Sequence, residues 1–404
     1  MTDPGGSPPP PNPLPQGEGE PQTTPPPLAG GGWGEGASAE GGWGEGAGAA
    51  LEVDLAAIVA NWRTLCARHP SGPVAGVVKA DAYGLGAQAV APALAAAGCR
   101  HFFVATAAEA AALRPLLPGA LLAVLNGLTP GTEDAVLAHG LVPVLGSLAE
   151  LDAWTACARR AGRRLPAMLH VDTGMARLGL APAELEALGR APSRLDGIDL
   201  RYVLSHLVAS EAPGEAINAA QARRFAARCA LLPPVPRSLA NSSGILLGAD
   251  FGSDLARPGA ALYGINPTPG RPNPMRPVAR LTARVLAVRD LPAGGTVGYN
   301  ATWTAARASR VATAAIGYAD GWHRAQSNRG AAVFDGRPLA LVGRVSMDLT
   351  TFDATDHPGV VPGAWLDLIG PARPVDAVAE AAGTNGYEVL TSLGPRIRRR
   401  YRPA

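Results

Sequence analysis

Among the 35 lysines and arginines of this 404-residue chain there is a single lysine, Lys79, in the run GVVKADAYGLG at residues 76 to 86. A guanidinium stays protonated and cannot form the imine that a neutral amine makes with an aldehyde. Arginine serves at every other site of positive charge, so a lone lysine between a strand-like stretch and a glycine-rich turn points to amine chemistry. The three residues before it, Gly76, Val77 and Val78, read as buried, and desolvation lowers an ammonium's pKa and makes the amine nucleophilic. An ordinary surface lysine is the alternative.

Other polar groups stand where apolar runs end. SLANSSGIL, which holds Asn241 and Ser242, offers hydroxyls and backbone N–H donors that suit a phosphate, with Gly259 and Ala260 close behind in the sequence. A capping Asn-Ser at a helix start explains the same residues structurally. Arg177 and Arg257 lie at run ends rather than on helix faces, where one could clamp a carboxylate bidentately or simply form a structural ion pair. His206 reads either as a satisfied core histidine or as part of a hydrogen-bond relay.

The elements that must position these groups alternate from Leu51 onward. Strands are expected at 73–78, 101–105, 120–125, 141–146, 165–171, 199–206, 237–241 and 261–265, separated by Ala-rich helical stretches such as SLAELDAWTACARRAG and EAINAAQARRFAARCALL. Eight strands alternating with helices over 51–277 fit an N-terminal (β/α)8 barrel, with an open doubly wound sheet as the alternative. The polar motifs above then fall at C-terminal strand ends, where barrel enzymes carry their active groups. From 278 to 404 the period changes to alternation, and AAVFDGRPLALVG holds a DG hairpin signal, so this part reads as a C-terminal mostly-β domain with one late helix, PVDAVAEAAG.

Composition narrows the classes further. Residues 1–50 are rich in Pro, Gly and Glu, carry a near-repeat (GGWGEGASAE, GGWGEGAGAA) and no Lys or Arg, and are expected to be disordered. No signal or transit peptide is visible, and apolar runs such as AVAPALAAAG are too short to span a bilayer, so the chain reads as cytoplasmic. Cys66, Cys99, Cys157 and Cys229 lack ligand spacing, so reduced thiols and no metal site are expected. The arginines at 396, 398, 399, 400 and 402 come without any nucleic-acid motif and read as a solvated terminus or a subunit contact.

Eight ordered motifs, VVKADAYGLG, HVDTGMARLGL, LANSSGIL, ARPGAALYG, VGYNATW, IGYADGWHR, VGRVSMD and YEVLTSLGPRIRRRY, make the chain resemble the bacterial alanine racemases from about residue 51 to 402. The resemblance implies pyridoxal 5'-phosphate as cofactor, alanine as substrate, D-alanine supply for peptidoglycan, and a head-to-tail homodimer. Lys79 matches the cofactor-holding lysine and one-face base, and Tyr299 the opposite base lent by the other subunit. Inverting a stereocentre by deprotonation requires such groups on both faces. His206 and Arg257 match the relay that tunes the tyrosine, and Arg257 also matches the residue facing the pyridine nitrogen. Tyr83, Asn241, Ser242, Gly259 and Ala260 match the phosphate pocket. Arg177 and the Met347 backbone match substrate-carboxylate contacts, and Tyr318 matches the narrowing of the entrance.

This sequence departs from the family pattern at four positions. His170 stands where many relatives carry a carbamylated lysine, so another acceptor is expected to orient Arg177. Leu85, Asp81 and Ser346 replace the usual His, Asn and Cys. Rival readings are a racemase of broader range, such as serine, a barrel-type decarboxylase and a non-catalytic cofactor-binding protein. The decarboxylase should carry a cysteine in its β domain, and all four cysteines here precede residue 230.

Overall fold

The computed structural model describes residues 48–404. A first strand, β1 (Ala49–Asp54), leads into a helix at Leu55–Arg68, capped by the Asp54 carboxylate. Seven parallel strands then pair in sequence order: β2 (Gly76–Val77), β3 (His101–Val104), β4 (Leu121–Val124), β5 (Val142–Leu145), β6 (Leu165–His170), β7 (Ile198–Leu204) and β8 (Arg237–Ser238). Helices cross between them, including Ala107–Leu113, Leu148–Ala161, Pro182–Arg190 and Ala216–Cys229. The result is a TIM-like (β/α)8 barrel, as expected.

The eighth position is filled differently from the expectation. Residues 261–265 do not form a strand: Ala260–Tyr263 is a 3-10 turn closed by Gly264 at φ 78°. The closing segment is the preceding one, which bridges Val74 and Ala256 in parallel. The Ala75 amide donates to the Ala256 carbonyl at 2.9 Å, and the Arg257 amide to the Ala240 carbonyl at 2.8 Å. Burial alone does not separate strand from turn here, because Ala261, Leu262 and Tyr263 are all in the core. Pro258 and the glycines flanking the apolar run break the strand, and the Tyr263 hydroxyl, buried, donates to the Val77 carbonyl at 2.8 Å.

The remaining strands are β9 (Ala279–Leu291), β10 (Thr296–Val297), β11 (Trp303–Thr304), β12 (Ser309–Ala314), β13 (Ala331–Phe334), β14 (Arg337–Ala340), β15 (Thr350–Asp353), β16 (Trp365–Ile369) and β17 (Arg398–Arg402). The DG signal forms the β13–β14 hairpin, with Asp335 at φ 47° and Gly336 at φ 72°, the conformation a two-residue primed turn demands. The late helix is Val375–Ala382.

This β sheet also takes in β1, which runs antiparallel to β9 and parallel to β17. The expected disordered tail, 1–50, lies outside the described residues as far as 47, but at its far end Ala49 and Ala50 already belong to β1 and are buried. The terminal arginines are likewise structured. Arg396 pairs with Asp320 and Asp348, each at 2.8 Å, Arg402 reaches Glu52 and Asp54, and Arg399 donates to the Gly84 carbonyl of the barrel at 3.1 Å. All four cysteines are free thiols, three of them buried.

Gly84 receives that contact at φ 81°, and a Cβ on it would lie 2.4 Å from the Leu390 carbonyl oxygen. Gly84→Ala is therefore expected to destabilise the protein by at least ~1–3 kcal/mol. Urea unfolding checks this, with Gly270→Ala, where a Cβ meets nothing within 4 Å, as the open-surface comparison.

Candidate active site

The barrel strands deliver their ends to a cavity of about 730 Å³ at the C-terminal face. Lys79, Tyr83, His206, Asn241, Ser242, Arg257, Gly259 and Ala260 all line it. Lys79 stands two positions past the end of β2, and burial lowers its affinity for a proton, helped by the charge of Arg177 and opposed by Glu109. Four consecutive residues after it, Ala80, Asp81, Ala82 and Tyr83, sit at φ 52°, 54°, 53° and 57°. Left-handed backbone costs L-residues roughly 1–2 kcal/mol each, so this reversal is held in place by its surroundings. The Asp81 carboxylate accepts from the Ala87 amide at 2.7 Å, and the Gly86 amide donates to the Asp81 carbonyl at 2.9 Å.

Below the cavity, Ser242 Oγ accepts from the Gly259 and Ala261 amides at 3.1 and 3.2 Å, folding the 3-10 turn toward the hydroxyl loop. Gly259 is required there, since a Cβ would stand 2.2 Å from the Tyr83 hydroxyl. Tyr83 packs on Tyr263 with ring centroids 4.7 Å apart, and burial pushes its phenol up to about 12, so it remains a donor. Asn241 Oδ1 accepts from Ser210 Oγ and from the Gly244 amide, both at 2.9 Å.

Arg257 is buried, and burial brings it down to about 10. Its guanidinium donates to Ser238 Oγ and, at 2.6 Å, to the Ser205 carbonyl. A polar network extends from it. Ser205 Oγ and Thr173 Oγ1 lie 2.7 Å apart, and the fully buried Gln221 donates to Thr173 Oγ1 and to the His206 carbonyl while accepting from the Val208 amide. One glutamine thus ties the His206 loop to the loop that carries Arg177. Burial, then Arg257, Arg177 and Lys79, push the His206 imidazole down to about 3.

Arg177 is exposed, does not line the cavity and has no hydrogen-bond partner among the described residues. Its loop is fixed instead. Burial works against an ionised Asp172, but the Gly174, Ala176 and Met175 amides, all donating to its Oδ1, outweigh it and hold its carboxyl below the usual range. His170 is pushed down to about 4 by burial, then by Arg257, so near neutral pH it is uncharged and neither repels nor ion-pairs with Arg177. No carboxylate among the described residues pairs with Arg177; the other expected acceptor is a bound anion.

Tyr299, Met347 and Tyr318 stand apart from this cavity, and Tyr299 is 65% exposed. They share a face of the β domain: the Tyr318 amide donates to the Ser346 carbonyl at 3.0 Å, the Ala319 amide to the Met347 carbonyl at 2.9 Å, and Gly298 packs on the Arg344 backbone. Among the cavity residues that the sequence reading does not name are Tyr387 and Glu211, whose side chains hydrogen-bond to each other across the barrel and the β domain. Tyr387 belongs to one of the eight ordered motifs, but by itself it looks like any aromatic on a short helix.

A partly desolvated amine at a barrel strand end, with a buried arginine and a cradle of amides and hydroxyls around one cavity, is the arrangement suited to an enzyme that uses a lysine amine. The family models for the alanine racemase N-terminal and C-terminal domains match residues 53–267 and 278–401. An alanine racemase of Acidiphilium cryptum is 57% identical over 349 residues, 86% of this chain and 97% of the relative. The crystal structure of alanine racemase from Bartonella henselae with covalently bound pyridoxal phosphate superposes at a TM-score of 0.85 and 42% identity, over 88% of this chain and all of that one. The biosynthetic alanine racemase of Pseudomonas aeruginosa gives 0.83 and 34% identity, over 88% and 99%. The chain belongs to the alanine racemase family.

The low position of His170 has a measurable sign. Above the ordinary value of 6.5 neither folded nor unfolded imidazole is charged; below it the unfolded chain takes a proton that the folded one refuses down to about 4. Stability is expected to fall as pH is lowered across that window, and His170→Asn to flatten the slope in urea titrations between pH 7 and 5.

Proposed function

We propose that this protein is a pyridoxal-phosphate-dependent alanine racemase interconverting L- and D-alanine. The observation that carries the reading is the chain's only lysine, lining a cavity where burial, helped by the charge of Arg177, favours its neutral form. The residues present fit the cofactor. Lys79 suits its aldehyde, and Arg257, with donors beyond the two bonds it makes, suits the pyridine nitrogen. The Tyr83 hydroxyl, without a hydrogen-bond partner among the described residues, and the Asn241–Ser242 and Gly259–Ala260 segments suit the phosphate.

Bound pyridoxal phosphate supplies an electron sink that makes the Cα proton of an amino acid removable. Lys79 Nζ moves that proton on one face, and its lowered proton affinity favours the neutral amine that a base requires. Arg257, a buried cation, would face the pyridine nitrogen and disfavour its protonation, which would favour prompt return of the proton to Cα. His206 remains neutral beside it and relays hydrogen bonds. Arg177 takes the substrate carboxylate together with the Met347 backbone, and Tyr318 narrows the entrance.

Tyr299 is the second base, lent by the other subunit of a head-to-tail dimer. Its exposure and its separation from its own cavity support this, because a base is useless where it stands in one chain alone. The barrel is assigned to 51–277 and the β domain to 278–404, supported by the change from parallel to antiparallel pairing at β9, with β1 (Ala49–Asp54) as the one strand of the N-terminal segment that pairs in the β domain's sheet. The presence of that β domain speaks against a barrel-only cofactor carrier. We place the enzyme in the cytoplasm, supplying D-alanine for peptidoglycan; no helix among the described residues is long and apolar enough to cross a membrane.

A chiral assay of the purified protein with L-alanine and other L-amino acids, run in heavy water with cofactor, tests the activity: D-alanine carrying deuterium at Cα is expected, and decarboxylated product would overturn the reading. Tyr299→Phe is expected to keep the cofactor's absorbance and lose racemisation by about 10²-fold or more. Co-expressed in equal amounts, Lys79→Ala and Tyr299→Phe chains should regain about a quarter of the normal rate, since half the dimers would hold one intact composite site. No recovery would mean that Tyr299 serves its own chain or none.

A further inference from the structure

Glu109 lies outside every role assigned above, yet it touches the backbone next to Lys79. It is the third residue of the helix Ala107–Leu113 and forms a capping box: its amide donates to Thr106 Oγ1 at 3.3 Å and its Oε2 accepts from the Thr106 amide at 3.2 Å. Oε2 also accepts from the Ala105 amide at 2.7 Å. Capping is complete with that one oxygen. The other, Oε1, reaches across 29 positions of sequence to accept from the Ala80 amide at 2.7 Å.

Ala80 is the first of the four left-handed residues. Its amide is the first donor the chain presents after Lys79, at the point where the backbone leaves β2. That strand is only two residues long; the Val78 amide still donates to the Phe103 carbonyl of β3 at 2.8 Å, and the bonding to β3 ends there, one residue before Lys79. The Glu109 carboxylate adds a tie on the other side of the lysine: one side chain joins Ala105 and Thr106, just past the end of β3, to the residue that follows Lys79. Charge-assisted bonds to two strand ends at once are stronger than neutral ladder bonds.

We propose that Glu109 is a positioning residue for Lys79: Oε1 anchors the first amide of the left-handed turn and so keeps the amine directed into the cavity. The same carboxylate acts on the amine electrostatically. Among the charged groups facing Lys79, burial and Arg177 favour the neutral amine and Glu109 favours the ammonium. His206 lies within the same field. The proposal rests on the racemase reading for the use of Lys79, but not for the geometry.

The chain's own composition supplies the test. An amine-directed reagent such as trinitrobenzenesulfonate labels one lysine only, and peptide mapping separates it from the amino terminus. Labelling rate against pH is measured on the full-length chain stripped of cofactor, for the unsubstituted protein, Glu109→Gln, Glu109→Ala and Thr106→Val, beside titration with pyridoxal phosphate. Glu109→Gln removes the charge and is expected to move the labelling midpoint to lower pH. Glu109→Ala removes charge and anchor and is expected in addition to raise the cofactor Kd about tenfold or more. Thr106→Val breaks the capping box without touching Ala80; it is expected to lower stability and leave midpoint and Kd in place.

Midpoints and Kd values like those of the unsubstituted protein in both Glu109 variants would overturn the proposal, as would equal shifts in Thr106→Val. If Glu109→Ala does not fold, the Glu109→Gln midpoint against that of Thr106→Val decides alone. Failure of the unsubstituted protein to bind pyridoxal phosphate would instead sink the racemase reading, while the labelling series still reports on Glu109.

Discussion

The backbone reversal behind Lys79 is the constraint on which much of this molecule converges. Four residues that are not glycine sit in the left-handed region, at a combined cost of several kcal/mol, and none has a side chain that lessens the strain through glycine's freedom. What holds them comes from three directions. Glu109 grips the first amide from the barrel's second helical connection, Asp81 closes the turn on its own chain at Ala87, and Arg399 grips the Gly84 carbonyl from the last strand of the β domain. Strain maintained in this way is usual at sites where a reactive group must not wander.

The second organising theme is that positive charge is buried without ion pairs in the cavity. Arg257 donates to neutral oxygens, Ser238 Oγ and the Ser205 carbonyl, rather than to a carboxylate, and the imidazoles of His170 and His206 are driven neutral around it. An electropositive, partly dehydrated cavity of this kind is matched to an anionic guest. Gln221 and Thr173 stiffen the framework with neutral hydrogen bonds, which orient the loops without adding charge.

Much of this was legible in the sequence because the chemistry-bearing residues lie next to glycines and strand ends. Lys79, Ser242 and Arg257 stand at such punctuation, and the seven strands from β2 to β8 follow apolar runs that admit few other readings. The eighth was misplaced because LARPG is short and broken by proline, whereas ALYGI looks like a strand and is a buried turn. β1 was hidden by the low-complexity composition that runs up to it. Glu109 and Gln221 were invisible for another reason: each already has an adequate local explanation, a cap in one case and a polar helix position in the other. Their long-range bonds exist only in three dimensions. Tyr299, Met347 and Tyr318 show the converse, since a single chain does not bring them to the cavity at all.

The seating of β1 between β9 and β17 carries a consequence for how the protein is made. Ala50 pairs with Arg398, so β1 is seated only once a strand 348 positions further along the chain has been made. The barrel strands between them can assemble earlier, but the Arg399 grip on Gly84 comes from that same late strand. One segment therefore both closes the sheet over β1 and clasps the outside of the turn that follows Lys79, so the order of synthesis places the fastening of that turn after the assembly of the barrel that surrounds it.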